Sequence, residues 1–273
     1  MELLQKLNNM RIFLDIGAHT GETLSEVLKE KYGFDRVICF EPSNICMPSL
    51  KKYADLDSRV EIQQIGLSNV DGKEVLYNPG ELNGSIFHEE NASSDSSESI
   101  TLVDAHSWYS ENLNPSDFVV IKTNCEGSEV NIIDSFLKGH TFKDFYSLLI
   151  TFDIRDYPSQ AYKEVEIRQR LKDSGYKNFC FSDDVMIGPT HEERIANWLK
   201  NFGIDQPLKS SEELKEEFKI NFIKFSNKTG ILVRAEIKLK RIFKYQSLPS
   251  PVKKSLQFLK RLLRLNRERS LEI

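Results

Sequence analysis

The feature that most constrains this chain is an apolar strand that runs into a glycine-bearing turn and then into a helix. Residues 13–23 read FLDIGAHTGET, with Gly17 and Gly21 in the turn. From Leu24 onward apolar residues recur at helical spacing as far as Gly33, which predicts a left-handed helix stop. A strand, a tight turn and a helix in this order form the first unit of a parallel α/β sheet.

Strand-like and helical segments alternate through the first two thirds of the chain, as in a parallel sheet with crossover helices. The predicted strands are RIFLDI, RVICFE, VEIQQIGL, KEVLYN, DFVVIKT, SLLITFD and KNFCFS. The predicted helices cover 22–32, 44–53, 128–137, 162–174 and 191–201, and a hairpin is predicted over 219–237. We therefore expect an α/β fold, a doubly wound Rossmann-like and mostly parallel sheet over residues 1–233, followed by a helical extension over 234–273.

Composition excludes several classes of protein. Hydrophobic residues at 40% and charged residues at 29% describe an ordinary globular chain, too apolar to be disordered. The four cysteines are scattered without a C-x-x-C pair, so we predict no metal site and no disulfide framework, and we expect a reducing compartment. The sequence starts without a signal-peptide pattern and no apolar run reaches about 18 residues, so we expect a cytoplasmic protein.

The turn after the first strand predicts a ligand site, because doubly wound sheets bind ligands beyond the carboxyl ends of their strands. Gly17 and Gly21 would let the backbone approach a ligand, and the next helix start would hold a carboxylate or a phosphate. Glu41, at the tip of the second strand, stands 20 positions after Gly21. A carboxylate at about this offset binds two ribose hydroxyls. The ligand is therefore predicted to contain a nucleoside.

Two residues of the turn argue against a nicotinamide dinucleotide. The dinucleotide fingerprint is G-x-G-x-x-G, and here His19 stands where the middle glycine belongs. Asp15, directly before the turn, would repel a pyrophosphate but suits a ligand with an ammonium or sulfonium charge, such as S-adenosyl-L-methionine. Methyl transfer is favoured, and a nicotinamide-dependent oxidoreductase stays an alternative.

Four sequence blocks together resemble one family. They are FLDIGAHTGE, CFEPS, IGLSNVDGKEVLYN followed by GSIF, and VVIKTNCEGSEVNII. In these blocks the chain resembles the class I S-adenosylmethionine-dependent methyltransferases of the FkbM type, over about residues 12–153. The resemblance implies O-methylation of hydroxyls on sugars, glycans of cell-surface polysaccharide type, or related natural products.

The resemblance also implies roles for individual residues. It assigns Asp15, Gly17, His19 and Gly21 to the methionine end of the cofactor, Glu41 to the ribose, and residues 64–67, with Gln64, Gly66 and Leu67, to the adenine. It places Lys122, Asn124, Glu126 and Glu129 at the reaction cleft. The family usually carries an aspartate where this sequence has Asn124, which puts a base or metal role at that position in doubt.

A hydroxyl acceptor must lose a proton during methyl transfer, which requires a carboxylate or imidazole within hydrogen-bond reach. Glu126 follows one predicted strand and Asp153 ends the next, so both carboxylates are candidates and should share one crevice. Lys122 would hold one of them or polarise the substrate. In-line transfer otherwise needs mainly the alignment of donor and acceptor.

Each of several residues also has a purely structural interpretation. Glu129 would interact with a helix dipole, His19 would hydrogen-bond the turn, and His106 would lie on a helix surface. Cys125 has no His–Asp arrangement beside it and is more typical of buried filler. The polar stretch 89–99 fits a substrate lid or a solvated loop equally.

The tail is basic. Residues 234–273 hold 12 Lys+Arg against 3 Asp+Glu, a charge of +9, and because the whole chain has a net charge of −4, the residues before 234 carry −13. Apolar residues at helical spacing over 252–263 predict a basic amphipathic helix. Such a helix would contact an anionic membrane surface, an acidic protein or its own domain. Without interleaved aromatic residues, nucleic-acid binding is not expected.

A non-catalytic scaffold that keeps the fold is the second alternative function.

Overall fold

The computed structural model describes residues 10–87 and 96–205. All of them lie in Met1–Lys215, the first of two units into which the chain divides. The predicted hairpin at 219–237, the boundary at 233/234 and the basic tail lie outside the described residues. Among the described residues, no helix is long and apolar enough to cross a membrane.

A six-stranded sheet forms the centre of the described fold, with every neighbouring pair parallel. Its strands, in spatial order, are β3 (Val60–Gln63), β2 (Arg36–Phe40), β1 (Arg11–Ile16), β7 (Phe118–Thr123), β8 (Ser147–Ile150) and β9 (Phe179–Phe181). The order reverses between β1 and β7, so this is the topological switch point of a doubly wound sheet. The predicted fold class is confirmed.

The central strands β1 and β7 are buried along their whole length, which explains why both read as nearly unbroken apolar runs. Helices cover both faces of the sheet. They are α1 (Leu24–Val27), α2 (Met47–Leu56), α3 (Ala105–Asn112), α4 (Glu129–Lys138), α5 (Tyr162–Ser174), α6 (Ser182–Val185) and α7 (His191–Asn201). In α4 the apolar residues Val130, Ile133 and Phe136 are spaced by three and are all buried against the core.

A small second sheet lies beside the first, in the order β4 (Gly66–Ser68), β6 (Ser97–Asp104), β5 (Gly72–Tyr77). β5 and β6 are antiparallel, whereas β4 and β6 are parallel. The prediction of VEIQQIGL as one strand is wrong, because the segment divides into β3 and β4, which belong to different sheets. The connection between β5 and β6 is described up to residue 87.

Two predicted helices differ from the observed ones. The segment 22–32 forms only the short α1 and a 3₁₀ turn, Glu30–Tyr32, because the backbone of Lys29 between them is extended. Gly33 does end this segment in the left-handed conformation, with φ 59°. The helix predicted at 44–53 begins later, at Met47, with a proline in its first turn, where a missing N–H costs nothing.

Candidate functional site

A cleft opens at the carboxyl ends of β2, β1 and β7, at the switch point of the sheet. The loops after these three strands form its floor, and the connection between β5 and β6 forms its roof. The lining residues that bear on function are Gly17, His19, Glu41, Ile65, Gly66, Leu67, Gly80, Ser85, Asn124, Cys125 and Glu126. Seven of them, Gly17, His19, Glu41, Gly66, Leu67, Asn124 and Glu126, are site residues predicted from the sequence.

The bend after β1 owes its glycines to protein packing. Gly17 has φ 79°, and a Cβ atom there would lie 1.8 Å from the carbonyl oxygen of Asn124. Gly21 has φ 96°, and a Cβ atom there would lie 2.9 Å from a ring carbon of Tyr53. The expectation that both glycines make room for a ligand therefore needs correction: Gly17 lets the loops after β1 and β7 touch, and Gly21 lets the bend meet α2.

Glu41 lies directly against this bend. Its carboxylate accepts a hydrogen bond from the backbone N–H of His19 at 2.9 Å and another from that of Ser43 at 2.9 Å. Burial raises the pKa of Glu41 above its ordinary value, while the two N–H groups act in the opposite direction. Each carboxylate oxygen can accept a second bond, so the group remains available to hydroxyls in the cleft.

His19 joins the bend to the roof of the cleft. Its Nδ1 lies 2.8 Å from the carboxylate of Glu22, and its Nε2 lies 2.9 Å from the carbonyl oxygen of Gly80. Burial lowers the pKa of His19, but these two partners outweigh it and the net shift is upward. Both ring nitrogens are occupied, which agrees with the structural interpretation of His19 and not with a role as base.

Lys122 forms a buried ion pair with Asp15, at 2.7 Å between Nζ and Oδ1. The parallel register sets Asp15 directly beside Lys122 on adjacent strands. Burial lowers the pKa of Lys122, but the Asp15 carboxylate raises it above its ordinary value. The sequence-based pairing of Lys122 with Glu126 or Asp153 is therefore replaced by Asp15. The second oxygen of Asp15 is buried and has no hydrogen-bond partner among the described residues.

Three carboxylates crowd together where β7 and β8 end. Glu126, in the turn after β7, has a left-handed backbone with φ 49°. Glu129, the first residue of α4, is fully buried and accepts from Gly127 N–H at 2.8 Å, Asp153 N–H at 2.7 Å and Ile154 N–H at 2.8 Å. Glu129 thus holds the turn after β7 against the turn after β8. The expectation that it faces the cleft is wrong, because its three backbone partners enclose it.

The pKa values of these three groups are raised, first by burial and then by the charge of neighbouring acidic side chains. Burial and the charge of Asp153 raise the pKa of Glu126 to about 8 and that of Glu129 to about 7. Burial and the charge of Asp156 raise the pKa of Asp153 to about 6. Groups in this range exchange protons near neutral pH, as general bases do.

The remaining predicted residues divide between the cleft and its surroundings. Gly66 and Leu67 lie on the wall predicted to hold the adenine, but Gln64 is exposed and donates to Asn44 Oδ1 at 2.6 Å. Asp153 is not among the residues that line the cleft, and one of its carboxylate oxygens is buried with no partner in the described residues. Asn124 lines the cleft.

The alternatives weighed for two other residues are resolved by their contacts. His106 lies on α3, where its Nδ1 is 2.8 Å from Thr141 Oγ1 and its ring packs on Gly139, away from the cleft. Burial raises the pKa of the Cys125 thiol well above its ordinary value, and Sγ donates to Ile16 O at 3.5 Å. Cys125 is therefore a neutral packing residue. Of the polar stretch 89–99, residues 97–99 belong to β6 and those before 96 lie outside the described part.

Sequence analysis missed the roof of the cleft. Ser85 donates its hydroxyl to the carbonyl oxygen of Glu126 at 2.5 Å, and the ring of Phe87 covers Gly127 so closely that a Cβ atom there would lie 2.9 Å from it. The GSIF block contains both residues. The block itself does not predict this contact, because Ser85 and Glu126 are 41 positions apart in the sequence.

Comparisons with known proteins found one family and one solved structure. Residues 15–177 match the family model described as Methyltransferase FkbM domain. A solved structure, the crystal structure of Methyltransferase FkbM from Methylobacillus flagellatus KT, aligns at 19% identity and a TM-score of 0.31 over 48% of this chain and 30% of that chain. The aligned part thus spans less than a third of that protein. The comparison with curated proteins found no match.

Proposed function

This chain belongs to the FkbM methyltransferase family, and we propose that it transfers a methyl group from S-adenosyl-L-methionine to a hydroxyl of a sugar or glycan. The observation that carries the proposal is Glu41, which stands in the cleft wall against the bend after β1. All the candidate cofactor and catalytic residues fall within the matched residues 15–177. The acceptor class rests on the family resemblance.

The residues of the cleft fit this cofactor. Glu41 offers carboxylate lone pairs to two ribose hydroxyls, and Ile65 and Leu67 supply an apolar wall for a purine. The bend at Gly17 and the amide of Asn124, which also line the cleft, would contact the methionine end of the cofactor. Asp15 is fully buried, is paired with Lys122 and does not line the cleft, so its role beside the methionine end rests on the family resemblance. When bound, the cofactor supplies an electrophilic methyl group.

The residues of this chain contribute alignment and a proton acceptor. Glu126 lines the cleft and Asp153 does not, so Glu126 is the better placed of the two candidate bases. With a pKa of about 8, Glu126 is increasingly ionised as the pH rises from 7 to 9. An enzyme that uses it as base should therefore gain rate across this interval, whereas a base with the pKa of Asp153, about 6, would reach its plateau earlier.

Calorimetric titration with S-adenosylhomocysteine, the stable product of the cofactor, tests the proposal. We expect it to bind the wild type, NADH not to bind, and Glu41→Gln to weaken binding by about tenfold or more through the loss of charge-assisted bonds. The matched control is Glu74→Gln, because Glu74 is exposed on β5. NADH binding without S-adenosylhomocysteine binding would indicate the oxidoreductase alternative.

A second measurement separates an enzyme from a scaffold. Purified protein, labelled S-adenosylmethionine and a glycan extract of the source organism should yield a labelled glycan. Cofactor binding without any labelled product would favour the non-catalytic scaffold. Contact of the basic tail with a membrane or an acidic partner, and the absence of nucleic-acid binding, stay predictions, because residues 206–273 lie outside the described structure.

A further inference from the structure

A second pocket lies at the carboxyl ends of β7, β8 and β9, under the start of α7. Its lining residues are Lys122, Asn124, Leu149, Thr151, Ser182, Asp183, Met186, His191 and Arg194. Asn124 is the single described residue that lines both this pocket and the cleft. The cleft and the second pocket therefore meet at Asn124, the first residue after β7.

The order of the strands sets the distance between the two spaces. Glu41 follows β2, and β8 is the third strand from β2 in the sheet. β7, the strand before it and the first to border the second pocket, lies two strands from β2, which at about 4.8 Å per strand is roughly 10 Å. On the proposed function, a cofactor whose ribose lies at Glu41 reaches across β1 towards Asn124. The second pocket begins where the cofactor would end.

The charges around the second pocket leave one cation unpaired. Asp183 accepts from Arg155 at 2.9 Å and lies 3.7 Å from Arg168, and Lys122 is paired with Asp15. Arg194 donates Nε–H to the carbonyl oxygen of Gly188 at 2.8 Å and forms no ion pair within residues 10–87 and 96–205. Its two terminal nitrogens therefore remain available, in the planar geometry that binds carboxylates and phosphates with two bonds.

The other polar groups of the pocket suit hydroxyls. His191 Nε2 lies 3.2 Å from Thr23 Oγ1, and in the described structure His191 Nδ1 has no hydrogen-bond partner. Burial, with the charge of Lys122, lowers the pKa of His191, so its ring is neutral at neutral pH. The hydroxyls of Thr151 and Ser182 also have no partner within the described residues. A neutral imidazole and two hydroxyls are typical contacts of a sugar.

We propose that the second pocket binds the methyl acceptor, and that the acceptor carries an anionic group, a carboxylate or a phosphate, which Arg194 binds. The inference rests on the proposed function. Asn124 then stands between the cofactor and the acceptor, and the reacting hydroxyl would reach past it into the cleft, because Glu126 lines the cleft and not the second pocket. Its amide places no charge beside the anionic acceptor, whereas the aspartate usual in the family would repel it.

The test titrates three sugars into full-length protein saturated with S-adenosylhomocysteine: methyl glucuronide, glucose 6-phosphate and neutral methyl glucoside. The readout is the proton NMR signal of the His191 ring, assigned with His191→Asn. We expect methyl glucuronide, glucose 6-phosphate or both to shift this signal with at least tenfold higher affinity than methyl glucoside. We also expect nuclear Overhauser contacts between the bound sugar and S-adenosylhomocysteine. The preferred anionic sugar distinguishes a carboxylate from a phosphate.

Arg194→Ala should weaken the binding of the anionic sugars about tenfold, and Arg194→Lys should weaken it less. Lys200→Ala should leave their binding unchanged, because Lys200 is exposed on α7 outside the pocket. Circular dichroism confirms that each variant is folded. Equal affinity for methyl glucoside, no shift of His191, or no effect of Arg194→Ala overturns the inference. If S-adenosylhomocysteine binds in the same samples, the proposed function survives that result. If it does not bind, the proposed function fails and the acceptor assignment fails with it.

Discussion

The two sides of the cleft use carboxylates in opposite ways. On the β1–β2 side, the carboxylate of Glu41 accepts two backbone N–H groups, and no acidic side chain within the described residues forms a hydrogen bond with it. On the β7–β8 side, three carboxylates share a few turns of backbone, and burial together with nearby acidic charge raises their pKa values to between about 6 and 8. A carboxylate held by two backbone N–H groups is suited to binding hydroxyls, whereas crowded carboxylates are suited to exchanging protons. On the proposed function, this difference assigns cofactor binding to the first side and proton transfer to the second.

Gly17 joins the two sides, so its replacement should have the largest effect. In Gly17→Ala the new Cβ atom would meet the Asn124 carbonyl oxygen at 1.8 Å, and the residue would keep φ 79°. We expect a loss of more than about 3 kcal/mol of unfolding free energy, measured by urea denaturation. Gly33→Ala is the control, because Gly33 has φ 59° with nothing within 4 Å, and it should cost only about 1 kcal/mol. Similar losses in both variants would mean that the two sides do not depend on this contact.

Glu129 holds the β7–β8 side together, and its replacement should have the next largest effect. Glu129→Gln keeps the shape but exchanges one acceptor oxygen for a donor, which leaves a buried N–H without a partner. We expect a loss of about 2 kcal/mol in urea denaturation at pH 8. Glu111→Gln, on the exposed side of α3, should change stability by less than about 0.5 kcal/mol. An equally small change in Glu129→Gln would show that the carboxylate is not what fixes the two turns.

The smallest expected effect is on the pH dependence of stability. The folded pKa of Glu126 is raised from 4.5 to about 8, so between these values the folded protein holds a proton that the unfolded chain has released. The free energy of unfolding therefore falls as the pH rises through this window. Glu126→Gln removes this term, and its stability should fall less between pH 6 and pH 9 than that of Glu111→Gln. Solvent at the cleft screens the charge, which keeps the difference small. If the stability of the two variants changed with pH in parallel, the raised pKa of Glu126 would be contradicted, and with it the contrast between the two sides of the cleft.

Much of the fold could be predicted from the sequence because its signals are local. The spans of α5 and α7 match the predicted 162–174 and 191–201, since each has a clear apolar period and a recognisable end, such as Gly175 with φ 78° after α5. The cleft could be predicted too, because parallel strands place their carboxyl ends at one edge. The division of VEIQQIGL between two sheets could not be predicted. Both halves have a strand-like sequence, so together they are predicted as one continuous strand.

The sequence by itself determined which residues reach the edge of the sheet: Asp15, Glu41, Lys122 and Glu126 each stand at or near the end of a strand. The tertiary structure decided what each one meets there. The partner of Lys122 is 107 positions away and is set by the register of two parallel strands, and the backbone partners of Glu129 include a turn 24 positions away. Strand periodicity is a property of neighbouring residues, whereas the pairing of buried charges depends on how separate strands and turns are packed together.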